Sequence, residues 1–275
     1  MKEFCELRIN NKFVELLPKT IIGNDMGPVT RVKIEKGTSE YQLTKEIAEK
    51  IKAKNNESFF YGWGINRKYS KSELSNALLF TLNISDVFEP TGEECGTLYD
   101  ETVACEFCGA NRKQISSLIL KKGTIPKKDI AKTIGSEIVV SEKFVNAVRQ
   151  RNLKGLQYSP TNIEKYYQLK ANTEIDLSVN TIIVGINPFD LSTTSEGEIY
   201  KCPKGHTIGL NLLSEAYVLN SPSISEFDFL VSKQKIGVKR GLLRPEPLYF
   251  CSQAFRKMIE DEKLRGFDFE IAHIE

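Results

Sequence analysis

Shifted by 111 positions, residues 137–164 of this chain fall on residues 248–275, and no other feature limits the possible folds as strongly. Ser141 meets Ser252, Phe144 meets Phe255, Leu153 meets Leu264, Gly155 meets Gly266, and Ile163-Glu164 meets Ile274-Glu275. Val148/Ile259, Lys154/Arg265, Leu156/Phe267 and Tyr158/Phe269 are conservative pairs. Each copy has the pattern of one strand–helix–strand unit. The apolar runs Ile138-Val-Val140 and Leu248-Tyr-Phe250 read as short buried strands. The serine that follows is a helix N-cap, since its hydroxyl accepts from an otherwise orphaned backbone N–H. Phe144, Val145 and Val148 in one copy, and Phe255, Met258 and Ile259 in the other, lie at helical spacing. Leu-Lys-Gly or Leu-Arg-Gly is expected to end the helix, with glycine in the left-handed turn, and an alternating strand follows.

The match continues upstream with gaps. Asp129-Ile-Ala-Lys-Thr133 resembles Asp228-Phe-Leu-Val-Ser232 at an offset of 99, so the second copy carries insertions such as residues 239–247. The expected fold class is α+β: an N-terminal α+β region over 1–90, a first repeat half over 91–164 and a second over 165–275. Repeats short enough to signal a solenoid are absent.

Each half also carries a turn suited to holding a metal. Cys105-Glu-Phe-Cys108-Gly places two thiolates on one side of a tight loop, and Cys202-Pro-Lys-Gly-His206 offers a thiolate and an imidazole 97 residues later. Together they make a Cys3His set suited to a closed structural zinc, the expected cofactor. Cys95 is the rival fourth ligand, in which case His206 is released. The six cysteines could instead pair as disulfides, but in a reducing compartment a CxxC turn is more often metal-binding. Cys251 precedes a helix N-terminus that could activate its thiol, yet its counterpart is Val140, so the position calls for a small apolar side chain. His273 reads as a surface or strand residue. Both histidines being accounted for, no Ser/His/Asp or Cys/His arrangement assembles, and no phosphate-cradling glycine loop is present.

In the first ninety residues, 4–17 and 30–34 read as strands and 44–53 as an amphipathic helix. Ser70-Lys-Ser-Glu73 is a capping box opening another helix. The aromatic cluster at 59–64 reads as a core corner rather than a binding platform. With no apolar run near ~20 residues and acids where a signal peptide needs a basic and then an apolar stretch, a cytoplasmic address is expected. Acids and bases nearly cancel (net charge +2), so any anion-binding surface must come from local clustering.

Cys105-Glu-Phe-Cys108-Gly109, the Cys202-Pro-Lys-Gly-His206 turn and the 248–269 ending are similar to bacterial proteins with a double CxxCG motif associated with polymorphic-toxin immunity. The second turn departs from that pattern, with His206 displaced by one position from the family's cysteine. The resemblance implies a cytosolic, non-catalytic protein that binds and neutralises a toxin or other partner protein, with zinc as scaffold. The alternative is a zinc-ribbon nucleic-acid binder using the basic stretches 112–132 and 233–244.

Overall fold

The computed structural model describes residues 1–55, 57–171, 173–189 and 200–275. The chain is mixed α+β and divides into two compact units. Met1–Asn76 with Ile186–Phe189 make the N-terminal unit, and the C-terminal unit begins at Ala77. The boundary therefore falls before residue 90. The reason is β5 (Leu79–Ile84), an apolar strand hydrogen-bonded on both edges to strands near the C-terminus.

The N-terminal unit is a four-stranded antiparallel sheet in the order β2-β3-β1-β4, made of β1 (Lys2–Asn10), β2 (Gly23–Asp25), β3 (Val29–Glu35) and β4 (Phe60–Lys68). Alternation places Cys5, Leu7 and Ile9 of β1 and Val32 and Ile34 of β3 in one core, which Ala48 and Ile51 of helix α1 (Ser39–Asn55) complete. The expected strand at 4–17 stops at Asn10, whose side chain accepts from Lys12 N and caps the 3-10 segment Asn11–Leu16. The aromatic cluster forms strand β4; Phe59 and Phe60 lie in the core, whereas Tyr61 is exposed. Trp63 donates from Nε1 to the Ile186 carbonyl at 2.7 Å. The capping box forms at α2 (Lys71–Asn76): Ser70 N donates to Glu73 Oε2 at 2.7 Å, and Glu73 N to Ser70 Oγ at 3.2 Å.

The C-terminal unit holds two larger sheets built on one plan. In chain order its strands are β5, β6 (Val87–Phe88), β7 (Tyr99–Asp100), β8 (Lys113–Gln114), β9 (Ile130–Thr133), β10 (Ile138–Ser141), β11 (Leu156–Pro160), β12 (Tyr166–Ala171), β13 (Glu174–Ile175), β14 (Ile183–Val184), β15 (Asn211–Leu212), β16 (Ala216–Val218), β17 (Phe229–Ile236), β18 (Glu246–Ser252) and β19 (Phe267–Ile274). Helix α3 (Glu142–Gln150) follows β10, α4 (Pro222–Glu226) follows β16, and α5 (Gln253–Asp261) follows β18. One sheet runs β11-β12-β10-β9-β6; the other runs β19-β5-β18-β17-β13, with β16 added beyond β19.

The two orders superpose strand for strand. Val140 faces Ile130 and Tyr167 in one sheet as Cys251 faces Phe229 and Phe80 in the other. Leu156 opposite Ala171 matches Phe267 opposite Ile84. The parallel edge pairs β6–β9 and β13–β17 also correspond. β12 thus occupies in the first sheet the place that β5 takes in the second. A unit starting at β5 and repeating at β12 therefore exchanges its first strand: β5 completes the sheet of the later copy, and β12 that of the earlier. Halves split at 91 and 165 miss β5, and neither is a separate compact unit.

The two helix units meet through reciprocal contacts. Ser141 and Ser252 cap α3 and α5 with nearly identical geometry, accepting from Phe144 N and Phe255 N. Asp129 accepts from Ser141 Oγ at 2.9 Å within its own copy and from Arg265 N at 2.9 Å in the other. Asp228 does the same with Ser252 Oγ at 2.7 Å and Lys154 N at 2.9 Å. Phe144 and Phe255 lie with ring centroids 5.9 Å apart in the shared core. The glycines do not end the helices. Asn152 and Lys263 take the left-handed conformation there (φ 52° and 51°), with Leu153 N and Leu264 N bonding back to Val148 O and Ile259 O. Gly155 and Gly266 come three residues later, also at positive φ, where a Cβ would lie 2.2 Å from Phe229 O and 2.4 Å from Ile130 O. Their role is to let the opposite copy's backbone approach.

Candidate metal centre

Each copy inserts a hairpin before its helix unit. β7 pairs with β8, and β14 with β15; Leu98 N donates to Ser116 Oγ in one and Ile182 N to Ser214 Oγ in the other, both at 2.8 Å. The first hairpin loop carries Cys105 and Cys108, the second Cys202 and His206.

Local backbone bonds shape both loops. Cys105 N donates to Ala110 O at 2.8 Å and Gly109 N to Cys105 O at 2.7 Å, with Gly109 at φ 67°. Cys202 N donates to Thr207 O at 3.0 Å and Gly205 N to Cys202 O at 2.9 Å, with Gly205 at φ 78°. The left-handed residue is thus the fifth of the first turn and the fourth of the second. That one-residue change carries the next side chain, His206, to the place a cysteine would take. The second loop is held to β17: Lys235 N donates to His206 O at 2.9 Å and Ile208 N to Lys235 O at 3.1 Å.

The four donor atoms lie within 4.8 Å of one another. Cys105 Sγ is 3.7 Å from Cys202 Sγ, and His206 Nδ1 is 3.7 Å from Cys202 Sγ and 3.9 Å from Cys108 Sγ. With metal–sulfur bonds of about 2.3 Å and metal–nitrogen bonds of about 2.1 Å, tetrahedral edges come to about 3.8 Å (S–S) and about 3.6 Å (S–N). Three of the six donor–donor distances therefore match a tetrahedral ion, and the others, all within 4.8 Å, would close by at most about 1 Å. A disulfide would need the sulfurs at about 2.05 Å, and all six cysteines are free. The three thiols are buried with Ala110 in a small cluster, and His206 is half-buried. Backbone N–H donation from Cys108, with smaller help from Phe107, His206 and Cys202, draws the Cys105 thiol down to about 6. Burial instead pushes Cys108 up to about 11. Cys105 thus leans toward the thiolate, and a cation held here would have to draw the proton off Cys108.

Nothing local in the sequence marked the residues that surround the donors. The Lys239 stem lies over Gly109, where a Cβ would meet its Cδ at 2.4 Å. Lys204 pairs with Glu106 at 3.0 Å and sits over the Phe107 ring at 5.5 Å, joining the tips of the two loops. Lys235 donates to Asn111 Oδ1 at 2.5 Å.

The other candidates lie elsewhere. Cys95 is held in the turn after Thr91, its N–H bonded to Thr91 O and Gly92 O, and is outside the four-donor group. Cys251 is fully buried in β18, and desolvation raises its thiol far above the ordinary value, opposite to what a nucleophile needs. His273 stacks on Tyr217 with centroids 4.6 Å apart, and its Nε2 lies 2.8 Å from Glu215. Much of the positive charge in the basic stretches faces carboxylates: Arg112 and Arg244 both reach Glu93 and Glu101, Lys132 reaches Glu246, Lys128 reaches Asp86 and Lys233 reaches Asp176. No helix among the described residues is long and apolar enough to cross a membrane. Compared with known proteins, the chain matches no family model and no curated protein.

Proposed function

We propose that the C-terminal unit is a duplicated scaffold clamped by one structural zinc, and that the protein acts in the cytosol as a non-catalytic, immunity-type binder of a partner protein. The observation that carries this reading is the Cys3His group, drawn two donors from each copy's hairpin loop and spaced for a tetrahedron. Thiolate-rich donors favour zinc over calcium or magnesium, and four protein donors leave no coordination position for substrate or activated water. The cation's part is to fix the two loops relative to each other.

A partner surface beside the clamp is supported by exposed Leu98, Val103, Phe107 and Ile115, all on the first hairpin. Large apolar side chains concentrated on a rigid, metal-held loop suit protein recognition. The test is co-expression with the product of the neighbouring gene in the native host. Protection by the wild type, its loss in Phe107→Asp/Ile115→Asp and unchanged zinc content in that variant are expected. Protection that survives both substitutions, or none by the wild type, refutes the reading. The basic stretches 112–132 and 233–244 are less suited to nucleic acid than their sequence implies, because so much of their charge is paired internally.

A further inference from the structure

The N-terminal unit presents a second surface, on the sheet face opposite its core. With Cys5, Leu7 and Ile9 facing inward, β1 turns Lys2, Phe4, Glu6 and Arg8 to the open side. The pairing adds Arg31, Lys33 and Glu35 from β3, and Gly62, Gly64, Asn66 and Lys68 from β4. Five basic side chains face two acids there: Arg31 pairs with Glu6 at 2.8 Å and Lys2 with Glu35 at 3.4 Å, while among the described residues Arg8, Lys33 and Lys68 make no ion pair.

Two details of this face work against stability and so call for a reason. Arg8 is directly opposite Arg31, and Lys2 directly opposite Lys68. Like charges in facing positions destabilise a sheet, and the pairs Arg31–Glu6 and Lys2–Glu35 offset only one member of each, leaving Arg8 and Lys68 uncompensated. Gly62 and Gly64, in mid-strand beside Arg8 and Glu6, weaken β4 with no packing need among the described residues: a Cβ on Gly62 would meet only Arg8 Cδ at 3.9 Å, one on Gly64 nothing within 4 Å, and neither has positive φ. They leave a bare trough. Beside it Phe4 is ringed by Lys33 Nζ at 4.8 Å and Lys68 Nζ at 5.6 Å from its centroid.

From this arrangement we propose that the open face of the N-terminal sheet binds single-stranded nucleic acid. Phosphates lie against Arg8, Lys33 and Lys68, one base stacks on Phe4, and the strand crosses the trough over Gly62 and Gly64. Stacking on a sheet-borne aromatic between cations is a sequence-tolerant mode, and a shallow trough admits unpaired bases. The bound polyanion relieves the facing like charges. The site is separate from the basic stretches 112–132 and 233–244 and does not depend on the zinc reading.

Fluorescence anisotropy of the full-length protein with a labelled oligo-dT or oligo-U tests this, with folding of each variant checked by circular dichroism. Binding with a log–log salt slope of about −2 is expected, as for three phosphates neutralised on a single strand. Arg8→Glu/Lys33→Glu should weaken binding at least tenfold. Gly64→Val, which fills the trough while favouring a strand, should weaken it severalfold, and Lys121→Glu/Lys122→Glu/Lys127→Glu should leave it unchanged. Absence of binding at low salt overturns the proposal, as does loss only in the Lys121, Lys122 and Lys127 variant. Equal binding of poly-glutamate with indifference to Gly64→Val also overturns it, in favour of an acidic protein partner.

Discussion

Replacing Asp129 with alanine should damage the C-terminal unit far more than an ordinary surface change, because this carboxylate joins its own helix cap to the other copy's turn. It accepts from Ser141 Oγ and Arg265 N, both at 2.9 Å, and is itself buried. Hydrogen bonds to a charged acceptor contribute about 1.5–3 kcal/mol each, and removing the acceptor leaves a buried backbone N–H without a partner. Part of the loss is recovered, since the Ser141 hydroxyl can rotate and still cap α3. A net cost of about 3–4 kcal/mol follows. At about 2–4 °C per kcal/mol for a unit of this size, the melting temperature should fall by roughly 6–16 °C. Asp129→Asn should cost only about 1 kcal/mol, because its carbonyl can still accept from Arg265 N while its amide donates to Ser141 Oγ. Asp228→Ala should mirror Asp129→Ala, since Asp228 bonds Ser252 Oγ and Lys154 N. Urea melts must be followed by far-ultraviolet circular dichroism, since the single tryptophan, Trp63, reports the N-terminal unit. A loss within about 0.5 kcal/mol, the range of neutral surface changes, for both alanine variants would refute the latch.

Other positions give sharper contrasts. Among the described residues Tyr158 Oη is buried without a partner, and Phe269 occupies the matching place in the other copy, so Tyr158→Phe should stabilise by about 1 kcal/mol in the same urea melts. Gly155→Ala should cost several kcal/mol, its Cβ lying 2.2 Å from Phe229 O, whereas Gly123→Ala, with nothing within 4 Å, should cost only the strain of its positive φ, about 1 kcal/mol. Because the folded Cys105 thiol is depressed to about 6 from an ordinary 9.0, its contribution in metal-free protein is full above pH 9 and fades as pH falls through 6. Thiolate absorbance of that form should accordingly show one cysteine ionising near pH 6, a step that Cys105→Ser removes.

Much of this was legible in the chain and some was not, for physical reasons. The helix units could be read because caps and apolar spacing are local, and the 111-residue offset set them side by side. That Cys105, Cys108, Cys202 and His206 gather could be read, because Cys and His in tight turns are scarce in this chain. The exchanged strands could not: 79–84 and 166–171 share only Leu82/Leu169, and short apolar runs do not state which partner they pair with. Gly155 and Gly266 were legible as glycines but not in their role, since the backbone they admit belongs to the other copy. The pairing within the basic stretches could not be read, because Glu93, Glu101 and Glu246, which face their cations, lie outside them in sequence or beyond their ends. The reach of β4 over 60–68 and the open face beside it emerge only from the pairing register.

The central claim, that a zinc ion clamps the two copies, is met most directly by one paired measurement on the purified protein: elemental analysis of metal content, then thermal melting before and after a strong chelator. A zinc clamp requires one zinc per chain, absent from Cys105→Ser and Cys202→Ser, and a C-terminal unit that melts well below its metal-loaded temperature while the Trp63 signal of the N-terminal unit is unchanged. Protein purified without metal, or a C-terminal melting temperature indifferent to chelation, would contradict it.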